Sequence, residues 1–423
     1  MFAPDGNSTS TIMTDLAAEL KAQGNDVAVV TTTPHNNVDE ATLRQAGLRR
    51  RFGGLVYTSE RDGIPVWHVK VRRKGTRVRS RIVDFARFHA LGTLLAALLP
   101  YRYEVILTPT PPLTMGLSAL LVGLVRRVPY VFNVQEIFPD VAIRLGVIKS
   151  RPAAAVFFLL ERLIYRRAAR VTTISPFLGE RLARKGVPSD RLAVIPNFED
   201  PEVVRPSEGD PAFLAEHGLA GKFVVLYAGN LGTAQNLDTV LDAAAQLRDL
   251  PDVVFLLVGE GVQRKRLETE IGEGRHPNVR LVPYVPRGRI GDAYAASSVC
   301  LVLLRAGIMK DAFPSKVFSI MASAKPVLAV SDVESDLWKL LRAADCGEGV
   351  PPDDAAALAA AVRSAHADPD GLARRGENGR AYLEQHHTPR IVGVMYDALV
   401  RRVVDEAAGR AAPLPGGEAR QAG

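Results

Sequence analysis

Two separate stretches of the chain combine glycine, hydroxyl and lysine residues in a way that could hold a phosphate group. In the first, the apolar run Phe223–Ala228 leads directly into Gly229, Asn230 and Gly232, and an amphipathic segment follows. A glycine turn between a strand and a helix lets backbone N–H groups approach an anion, and the positive end of the helix dipole favours that anion. The pattern indicates binding of a phosphorylated ligand, although a simple tight turn would have the same residues.

Pro314, Ser315 and Lys316 open the second stretch, immediately before a helical run that reaches residue 323. Ser315 is suited to cap that helix. Lys316 would fall in the first turn, where the helix dipole disfavours a cation unless an anion lies nearby. The alternative is an ordinary solvated lysine on the protein surface.

A third group of polar residues follows the apolar strand Tyr130–Val134 in the first half of the chain. Glu136 and Asp140 come just after that strand, behind Gln135. Ligands of open α/β sheets bind beyond the carboxyl ends of the strands, so both acids are candidates for substrate binding or proton transfer. The alternatives are a helix cap for Asp140 and a salt-bridged loop acid for Glu136.

The length and the order of segments predict two domains. A chain of 423 residues is too long for one ordinary core, and strand and helix patterns alternate on both sides of a polar, proline-rich segment at 197–221. We predict α/β domains with doubly wound parallel sheets at 1–200 and 201–386, and a substrate cleft between them. An amphipathic helix at 387–406 and a disordered tail at 407–423 complete the prediction.

Composition narrows the class of protein further. The apolar fraction is 47% and the mean hydropathy is +0.04, which is typical of a soluble globular protein. Cys300 and Cys346 are the two cysteines and lie in or beside apolar runs, so a disulfide framework is excluded and a reducing cytosol is predicted. The sequence shows no membrane-spanning stretch, no signal peptide and no metal-ligand spacing.

Four segments together carry a resemblance to a known family. AGNLGTAQNLDT, VGEGVQRKRLE, NVRLVPYVPRGRIGDAYAASSVCLVLL and PSKVFSIMASAKPVLA occur in this order and spacing. They resemble the nucleotide-sugar domain of family 4 glycosyltransferases, and the likeness extends from residue 2 to about residue 406. Members are retaining enzymes of the GT-B fold, with two Rossmann-like domains and a C-terminal helix that crosses back to the first. The branch that the chain resembles most is assigned to L-fucosamine or related sugar transfer in surface-polysaccharide synthesis.

The resemblance implies an activity and a set of site residues. The reaction would move a sugar from a nucleotide diphosphate donor, a UDP-sugar, to a lipid-linked or glycan acceptor with no cofactor and no metal. Glu136, Asp140 and Lys316 are the predicted catalytic residues. The residues predicted to bind the donor are Gly6, Gly229, Asn230, Gly232, Tyr284, Val285, Arg305, Pro314, Ser315, Lys316 and Ser319.

Two of these assignments have ordinary structural alternatives. Tyr284 and Val285 match the segment whose backbone holds the base, but Tyr284 could equally be a packing aromatic. Arg305 at a strand end could reach phosphate or form an exposed salt bridge.

Several positions depart from the pattern of this family. Asn230 and Gln235 stand where relatives carry arginine and lysine, and Gln135 stands where many carry histidine. Ser319 replaces the second of a pair of glutamates, the one that reaches the donor ribose, and Asp311 lies near the first. A serine hydroxyl can hydrogen-bond a ribose, but we expect it to do so without charge assistance. The diphosphate charge would then be met by Lys316, Arg305 and helix N-termini.

The beginning of the chain also departs from the resemblance. Residues 1–7, which include Gly6, predict a loop that in relatives follows a first strand in the middle of the sheet. Such a strand is not apparent here, and we expect the native start to lie upstream or the chain to be truncated.

Basic residues dominate the region 35–104. The arginines and lysines at 49–51, 72–74, 77, 79 and 81 precede an amphipathic helix predicted at 82–99. Cations beside such a helix predict contact with an anionic membrane surface, on the inner face of the plasma membrane for a cytoplasmic protein. Solvated basic loops beside a core helix are the alternative. The net charge of +7 would also permit nucleic acid as a partner, but no nucleic-acid-binding module is present.

Two other classes of function remain open at this point. A UDP-sugar 2-epimerase would share the fold and the donor grip but would use no acceptor. A non-catalytic nucleotide-sugar binder would explain Ser319 and the unusual N-terminus.

Overall fold

The computed structural model describes residues 2–6, 8–35, 38, 40–72, 78–285 and 289–410. The chain divides into two compact units. Unit 1 contains Met1–Pro196 together with Pro389–Gly423, and unit 2 contains Asn197–Thr388. The divisions after residues 196 and 388 differ by only a few residues from those expected after residues 200 and 386. The basic positions 73, 74 and 77 and the predicted tail from 411 onward lie outside the described residues.

Unit 1 is built from eight strands and eight helices in its described part. The strands are β1 (Val29–Thr32), β2 (Arg49–Arg51), β3 (Val56–Arg61), β4 (Ile64–Val69), β5 (Ile106–Pro109), β6 (Tyr130–Val134), β7 (Arg170–Thr173) and β8 (Leu192–Val194). The helices are α1 (Ser8–Ala22), α2 (Glu40–Gln45), α3 (Val78–Leu98), α4 (Thr114–Arg126), α5 (Asp140–Arg144), α6 (Arg151–Arg167), α7 (Pro176–Arg184) and, from the end of the chain, α16 (Pro389–Ala407).

The strands of unit 1 form two separate four-stranded sheets. One has the order β5-β6-β7-β8 and is entirely parallel. The other has the order β1-β4-β3-β2, in which β1 and β4 are parallel and the remaining pairs are antiparallel. The prediction of parallel sheets is therefore confirmed for the first of these and wrong for part of the second.

The antiparallel part was hidden by its composition. All three arginines of β2 are exposed on an edge strand, so they show no alternation of apolar and polar residues. Asp62 and Gly63 join β3 to β4 and both have positive φ, 51° and 70°. Asp-Gly between two short strands is a strong signal for a two-residue hairpin, and it could have revealed this pair from the sequence.

Unit 2 contains a single six-stranded parallel sheet. Its strands are β9 (Phe223–Ala228), β10 (Val253–Val258), β11 (Val279–Val282), β12 (Val299–Leu303), β13 (Val327–Val330) and β14 (Gly347–Val350). Its helices are α8 (Pro211–Glu216), α9 (Leu237–Gln246), α10 (Arg264–Gly272), α11 (Ile290–Ala295), α12 (Lys316–Ala322), α13 (Asp336–Ala343), α14 (Ala355–Ala367) and α15 (Pro369–His386).

The strand order of unit 2 creates a topological switch point. The order is β11-β10-β9-β12-β13-β14, so the chain builds outward from β9 in one direction and from β12 in the other. All six residues of β10 are buried, as are residues 224–227 of β9, because helices cover both faces of a parallel sheet. A crevice at the carboxyl ends of β9 and β12 is the expected ligand position for this topology.

Helix α16 packs on unit 1, although the chain that leads into it belongs to unit 2. Its buried face contains Val392, Tyr396 and Val403 and contacts α1. The Tyr396 hydroxyl accepts a hydrogen bond of 2.6 Å from Asn133 Nδ2, and Arg170 forms two hydrogen bonds, of 2.6 and 2.7 Å, with the Glu406 carboxylate. These contacts join the end of the chain to strands β6 and β7.

The buried bond between Tyr396 and Asn133 makes a prediction about stability. Replacing Tyr396 with Phe leaves a fully buried amide with one partner fewer, and we expect a loss of about 1–3 kcal/mol in the free energy of unfolding. Urea denaturation followed by circular dichroism measures the change. The control is Tyr382→Phe, since the Tyr382 hydroxyl bonds no described residue, and equal midpoints for the two variants would contradict the prediction.

Candidate active site

The switch point of unit 2 brings together the two stretches that the sequence singled out. Gly229 follows β9 directly, and Arg305 lies just beyond the end of β12. The Arg305 backbone N–H donates to the Ala234 carbonyl at 2.9 Å, which ties the end of β12 to the glycine loop. The Arg305 side chain is exposed, so its guanidinium is available to a ligand at this edge of the sheet.

Glycine at two loop positions allows the backbones of neighbouring strands to meet. Gly229 and Gly259 follow β9 and β10 and have φ of 153° and 149°. A Cβ atom at Gly259 would lie 1.9 Å from the Gly229 carbonyl oxygen, so no other residue fits there without displacing the loop. The Gln263 side-chain amide donates to the carbonyls of Gly232 and Gln235, the latter at 3.2 Å, and holds the loop from the other side.

Lys316 is the first residue of α12, and its ammonium group reaches the glycine loop. Its Nζ donates to the Tyr227 hydroxyl at 2.9 Å and lies 4.0 Å from the centre of that ring. The same hydroxyl donates to the Asn230 carbonyl at 2.8 Å. A Cβ atom at Gly229 would lie 2.5 Å from the lysine nitrogen. The two stretches that were predicted to bind phosphate therefore meet at one point, through the buried phenol of Tyr227.

Lys316 is a desolvated lysine that has no negatively charged partner among the described residues. Removal from water lowers the pKa of Lys316 to about 7, and no carboxylate in the described part of the chain forms an ion pair with it. An anion at Gly229 would stabilise the protonated lysine and raise that pKa. The geometry is that of an anion site.

Ser315 does not cap α12 as the sequence predicted. Its backbone is helical, with φ of −58° and ψ of −17°, and its side chain forms no capping hydrogen bond. The Ser315 Oγ instead accepts a hydrogen bond of 2.7 Å from Asn197 Nδ2. Pro314 accepts from the Val317 N–H at 3.2 Å and begins the turn. The Ser315 side chain therefore bonds to Asn197, at the start of unit 2, instead of capping α12.

Ser319 lies one turn further along the same helix and has a carboxylate partner. Its hydroxyl donates to Glu199 Oε2, and Tyr294 of α11 is within hydrogen-bonding reach of it. Burial, then the Cys300 thiol and the Glu199 carboxylate, raise the pKa of Tyr294. Nothing in the sequence indicated this carboxylate partner, because Glu199 is distant from Ser319 along the chain.

The remaining residues predicted to bind the donor lie at other places. Tyr284 and Val285 are half-buried at the carboxyl end of the edge strand β11, and burial raises the pKa of Tyr284. Two strand spacings, about 10 Å, separate β11 from β9, which is a distance that a nucleotide can span. Asn230 is exposed, and its side-chain amide nitrogen lies next to Gly232, 2.5 Å from where a Cβ atom at that glycine would be. Gly6 belongs to unit 1, beside the buried Asp5, rather than to this cluster.

Glu136 lies just after β6 in unit 1, and its carboxyl group is in an environment that disfavours the charged form. It is half-buried, and burial raises the pKa of its carboxyl group. No described residue forms a hydrogen bond or an ion pair with that carboxylate, so the salt-bridged alternative is not what the structure shows. Gln135 beside it is committed to Asn133, since its amide donates to Asn133 Oδ1 at 2.7 Å.

Asp140 has a different environment from Glu136. One carboxylate oxygen pairs with Arg181 at 3.0 Å, and the other pairs with Lys185, which also contacts Glu161 at 2.9 Å. Asp140 lies in the first turn of α5, where Pro139 is the N-cap residue. These pairs link α5, α6 and α7, and they give Asp140 a positioning role within unit 1.

Sequence reasoning missed four residues of unit 2 that shape the site. Tyr227 reads as one more apolar position of a buried strand, and Tyr294 reads as helix core. Asn197 and Glu199 were assigned to the linker, but they belong to unit 2 and bond to α12. Asparagine and glutamate at alternate positions immediately after a strand were the only signal available.

The two α/β units have the GT-B fold. Residues 9–197 match the glycosyl transferase 4-like domain, and residues 211–382 match the glycosyl transferases group 1 domain. The chain belongs to the family 4 glycosyltransferases and is an enzyme of the group 1 type.

Two curated relatives carry the same assignment. Glycosyltransferase WbjE of Pseudomonas aeruginosa is 28% identical over 310 residues, which cover 72% of this chain and 76% of WbjE. WcaI of Escherichia coli K12, whose name assigns it to colanic acid biosynthesis, is 24% identical over 379 residues, covering 86% of this chain and 90% of WcaI. Among solved structures, Anabaena HepE in complex with UDP-glucose has a TM-score of 0.69 at 18% identity, covering 96% of this chain and 98% of HepE.

Among the described residues, no helix has the length and apolarity needed to cross a membrane. Nowhere among these residues do three or more metal-ligating side chains gather. Both cysteines are free and buried, and burial raises the pKa of each thiol to about 12, which makes them unreactive.

The lowered pKa of Lys316 can be measured directly. After reductive ¹³C-methylation of the lysines, we expect one NMR resonance to titrate near pH 7, losing its proton as the pH rises, because desolvation disfavours the charged form. The Lys316→Arg variant identifies that resonance by its loss. A Lys316 signal that titrates near pH 10 would contradict the anion-site geometry.

Proposed function

We propose that the protein transfers a sugar from a UDP-sugar to a lipid-linked or glycan acceptor, with retention of configuration, in the synthesis of a surface polysaccharide. The observation that carries the proposal is the position of the Lys316 ammonium against Gly229 at the switch point of unit 2. The name of WcaI, which assigns that relative to colanic acid biosynthesis, supports the polysaccharide. The resemblance of this sequence to the L-fucosamine branch of the family favours that sugar or a related one.

Departure of the nucleoside diphosphate is the step that this site would assist. Negative charge builds on the leaving diphosphate as the bond to the sugar breaks, and donors already in place stabilise that charge more than they stabilise the ground state. Those donors are Lys316, the exposed Arg305 and the N–H groups of Asn230 and Gly232, since the N–H groups of Gly229 and Leu231 already donate to the Val258 and Glu260 carbonyls. Tyr227 fixes the lysine, so little reorganisation is needed when charge develops.

A uridine base is favoured by the solved neighbours. HepE was solved with UDP and with UDP-glucose. In this chain, Tyr284 and Val285 at the end of β11 would hold the base, while Gly229, Gly232 and Lys316 hold the diphosphate. The backbone amide and carbonyl of an extended segment can pair with the edge of uracil.

Glu136 is the group in unit 1 with the best claim to contact the acceptor. Burial raises the pKa of its carboxyl group, because removal from water disfavours the charged form. Such a group can accept a hydrogen bond from the acceptor hydroxyl when it is ionised. The leaving phosphate itself can take the proton, so the reaction does not require a strong base, and Asp140 would contribute only by positioning.

A membrane surface would present a lipid-linked acceptor, and unit 1 carries features that suit one. Exposed large apolar residues are concentrated on α3, α4 and α6: Val83, Phe85, Leu94, Leu98, Leu121, Leu124, Val125, Val156, Phe158, Leu159 and Leu163. Within residues 114–167 there are eight arginines and lysines but only three acids, and none of the three is exposed. We infer that α4 and α6, in addition to the predicted α3, contact an anionic membrane.

Two variants test the donor site. Lys316→Ala removes the cation, and Gly229→Ala places a methyl group where the ammonium lies. We expect each to weaken UDP binding at least tenfold, about 1.4 kcal/mol, and to abolish sugar transfer. Calorimetry with UDP and turnover with UDP-sugars and a lipid extract measure these effects. Lys310→Ala, at an exposed lysine on the same segment, is the control.

The same assays separate the remaining classes of function. Conversion of a UDP-sugar to its isomer without any acceptor would replace the transferase by the epimerase. UDP binding without turnover on any lipid extract would favour a binding protein. Wild-type protein that does not bind UDP would overturn the proposed donor.

Membrane contact is tested with vesicles. The double variant Leu124→Glu/Leu159→Glu should lose most of its flotation with phosphatidylglycerol vesicles, because two charges enter the apolar surface. Val262→Glu alters an equally exposed valine of unit 2 and should float like the wild type. Equal flotation of all three proteins, or equal binding to neutral phosphatidylcholine vesicles, would count against the membrane surface.

A further inference from the structure

Unit 1 contains a cavity of about 430 Å³ that has a cationic side and an apolar side. It lies between the C-terminal ends of α4 and α6 and the end of α16. We propose that this cavity binds the phosphate head group of a single membrane lipid, whose chains leave over the exposed apolar face of α4. The inference goes beyond the proposed sugar transfer, and it rests on the part of that proposal that places α4 and α6 at a membrane.

The cavity is located at the amino-terminal edge of the sheet β5-β6-β7-β8. Tyr130 and Arg170 begin β6 and β7, and Arg191 comes directly before β8. The three strands are parallel, so these residues lie at the same edge. Glu136 follows the opposite end of β6, and the five residues of that strand separate the two edges by about 13–17 Å. The cavity is therefore separate from the candidate acceptor site.

Positive charge exceeds negative charge in the cavity, which is lined by three arginines and one glutamate. Arg170 is committed to that glutamate, since its Nη2 donates to the two carboxylate oxygens of Glu406 at 2.6 and 2.7 Å. Arg191 donates to the Arg166 carbonyl at 3.4 Å, which holds it against the end of α6. Neither Arg167 nor Arg191 forms an ion pair with any described residue, so both charges remain for a ligand.

A phosphate is the anion that suits two such arginines. The planar guanidinium group matches phosphate oxygens with pairs of N–H bonds. A phosphate monoester carries a charge of about −1.5 to −2 at pH 7, which two guanidinium groups can neutralise. A carboxylate, with one charge, would leave an excess of positive charge in the cavity.

The helix ends at the cavity do not themselves attract an anion. The C-terminal end of a helix carries partial negative charge, which repels a phosphate and favours cations. Arg126 in the last turn of α4 and Arg166 and Arg167 in the last turn of α6 offset that charge. Binding therefore depends on the arginine side chains, which makes them the groups to alter.

The apolar side of the cavity indicates that the phosphate is attached to a lipid. Leu120, Leu124 and Val128 line it at the end of α4. Leu124 is 59% exposed and its neighbour Val125 is 68% exposed, so the apolar wall continues onto the surface of unit 1. A free phosphate would leave this wall in water, whereas hydrocarbon chains that cover it gain about 25 cal/mol per Å² of apolar area. The volume also falls within the range of ordinary ligand pockets.

Soluble short-chain lipids test the cavity without a membrane. By calorimetry, we expect monomeric dihexanoyl phosphatidic acid to bind at least about tenfold more tightly than two related compounds. Dihexanoyl phosphatidylcholine carries a compensating cation, and glycerol phosphate has no chains. Equal binding of glycerol phosphate would make the cavity a plain anion site, and equal binding of phosphatidylcholine would make it an apolar groove. Either result would overturn the inference.

Removal of the free cations is the second test. Arg167→Gln/Arg191→Gln should weaken binding of dihexanoyl phosphatidic acid at least about tenfold. Arg162→Gln/Arg166→Gln removes the same charge from exposed positions of α6 that do not line the cavity, and it should bind like the wild type. Equal losses in the two double variants would indicate a general effect of net charge and would overturn the inference.

A third variant fills the cavity and leaves its charges in place. Ala407→Phe introduces a ring at a lining position of α16 and should weaken binding at least about tenfold, whereas Ala408→Phe, at the exposed neighbouring position, should not. Thermal unfolding confirms that each variant folds, and unchanged binding in Ala407→Phe would count against the cavity. Failure of the wild type to float with vesicles would overturn the proposed membrane contact, whereas failure to bind the soluble lipid would overturn this inference alone.

Discussion

The contact between the Lys316 ammonium and the Tyr227 hydroxyl at Gly229 is the interaction on which the rest of the site depends. It requires a glycine after β9, because any side chain there would occupy the lysine's place. It also requires a phenol within a buried strand, because a phenylalanine would leave both the ammonium and the Asn230 carbonyl without this partner. One bond thus couples the strand, the glycine loop and the start of α12.

The strand order of unit 2 makes this contact possible. The strand order places β9 beside β12, so the loops after these strands, which are distant in sequence, open at the same edge. The backbones of the β9 and β10 loops also approach each other closely at Gly229 and Gly259. A solvated lysine on an open surface would exert little force on a diphosphate, whereas a desolvated one in a fixed position exerts much more.

The sequence predicted the parts of this arrangement that local patterns encode. Continuous apolar runs identified the buried strands of unit 2, since helices cover both faces of its sheet. Gly229 could be identified because a glycine turn between a strand and a helix lets backbone N–H groups approach an anion. Lys316 could be identified because a lysine in the first turn of a helix is disfavoured by the helix dipole unless an anion lies nearby. Strand β2 was missed because an exposed edge strand of arginines has no alternation of apolar and polar residues.

Partnerships between distant residues were beyond the reach of the sequence. Nothing near Ser319 in the chain suggests a carboxylate, and Glu199 lies far away among linker residues. The same limit applies to Asp140, a predicted site acid whose ion-pair partners Arg181 and Lys185 lie far along the chain. Residue type predicts what a group can do, but its partners decide whether the group remains available to a ligand.

Burial shifts the pKa values of Lys316 and Glu136 in opposite directions, and for one reason. Each charged form loses hydration, so the pKa of the lysine falls and that of the carboxyl group rises. Both groups are therefore held closer to their neutral forms in the free protein than in water. An anion beside Lys316 would restore the lysine's charge, and this change in protonation would make the site most electropositive only when a diphosphate is present.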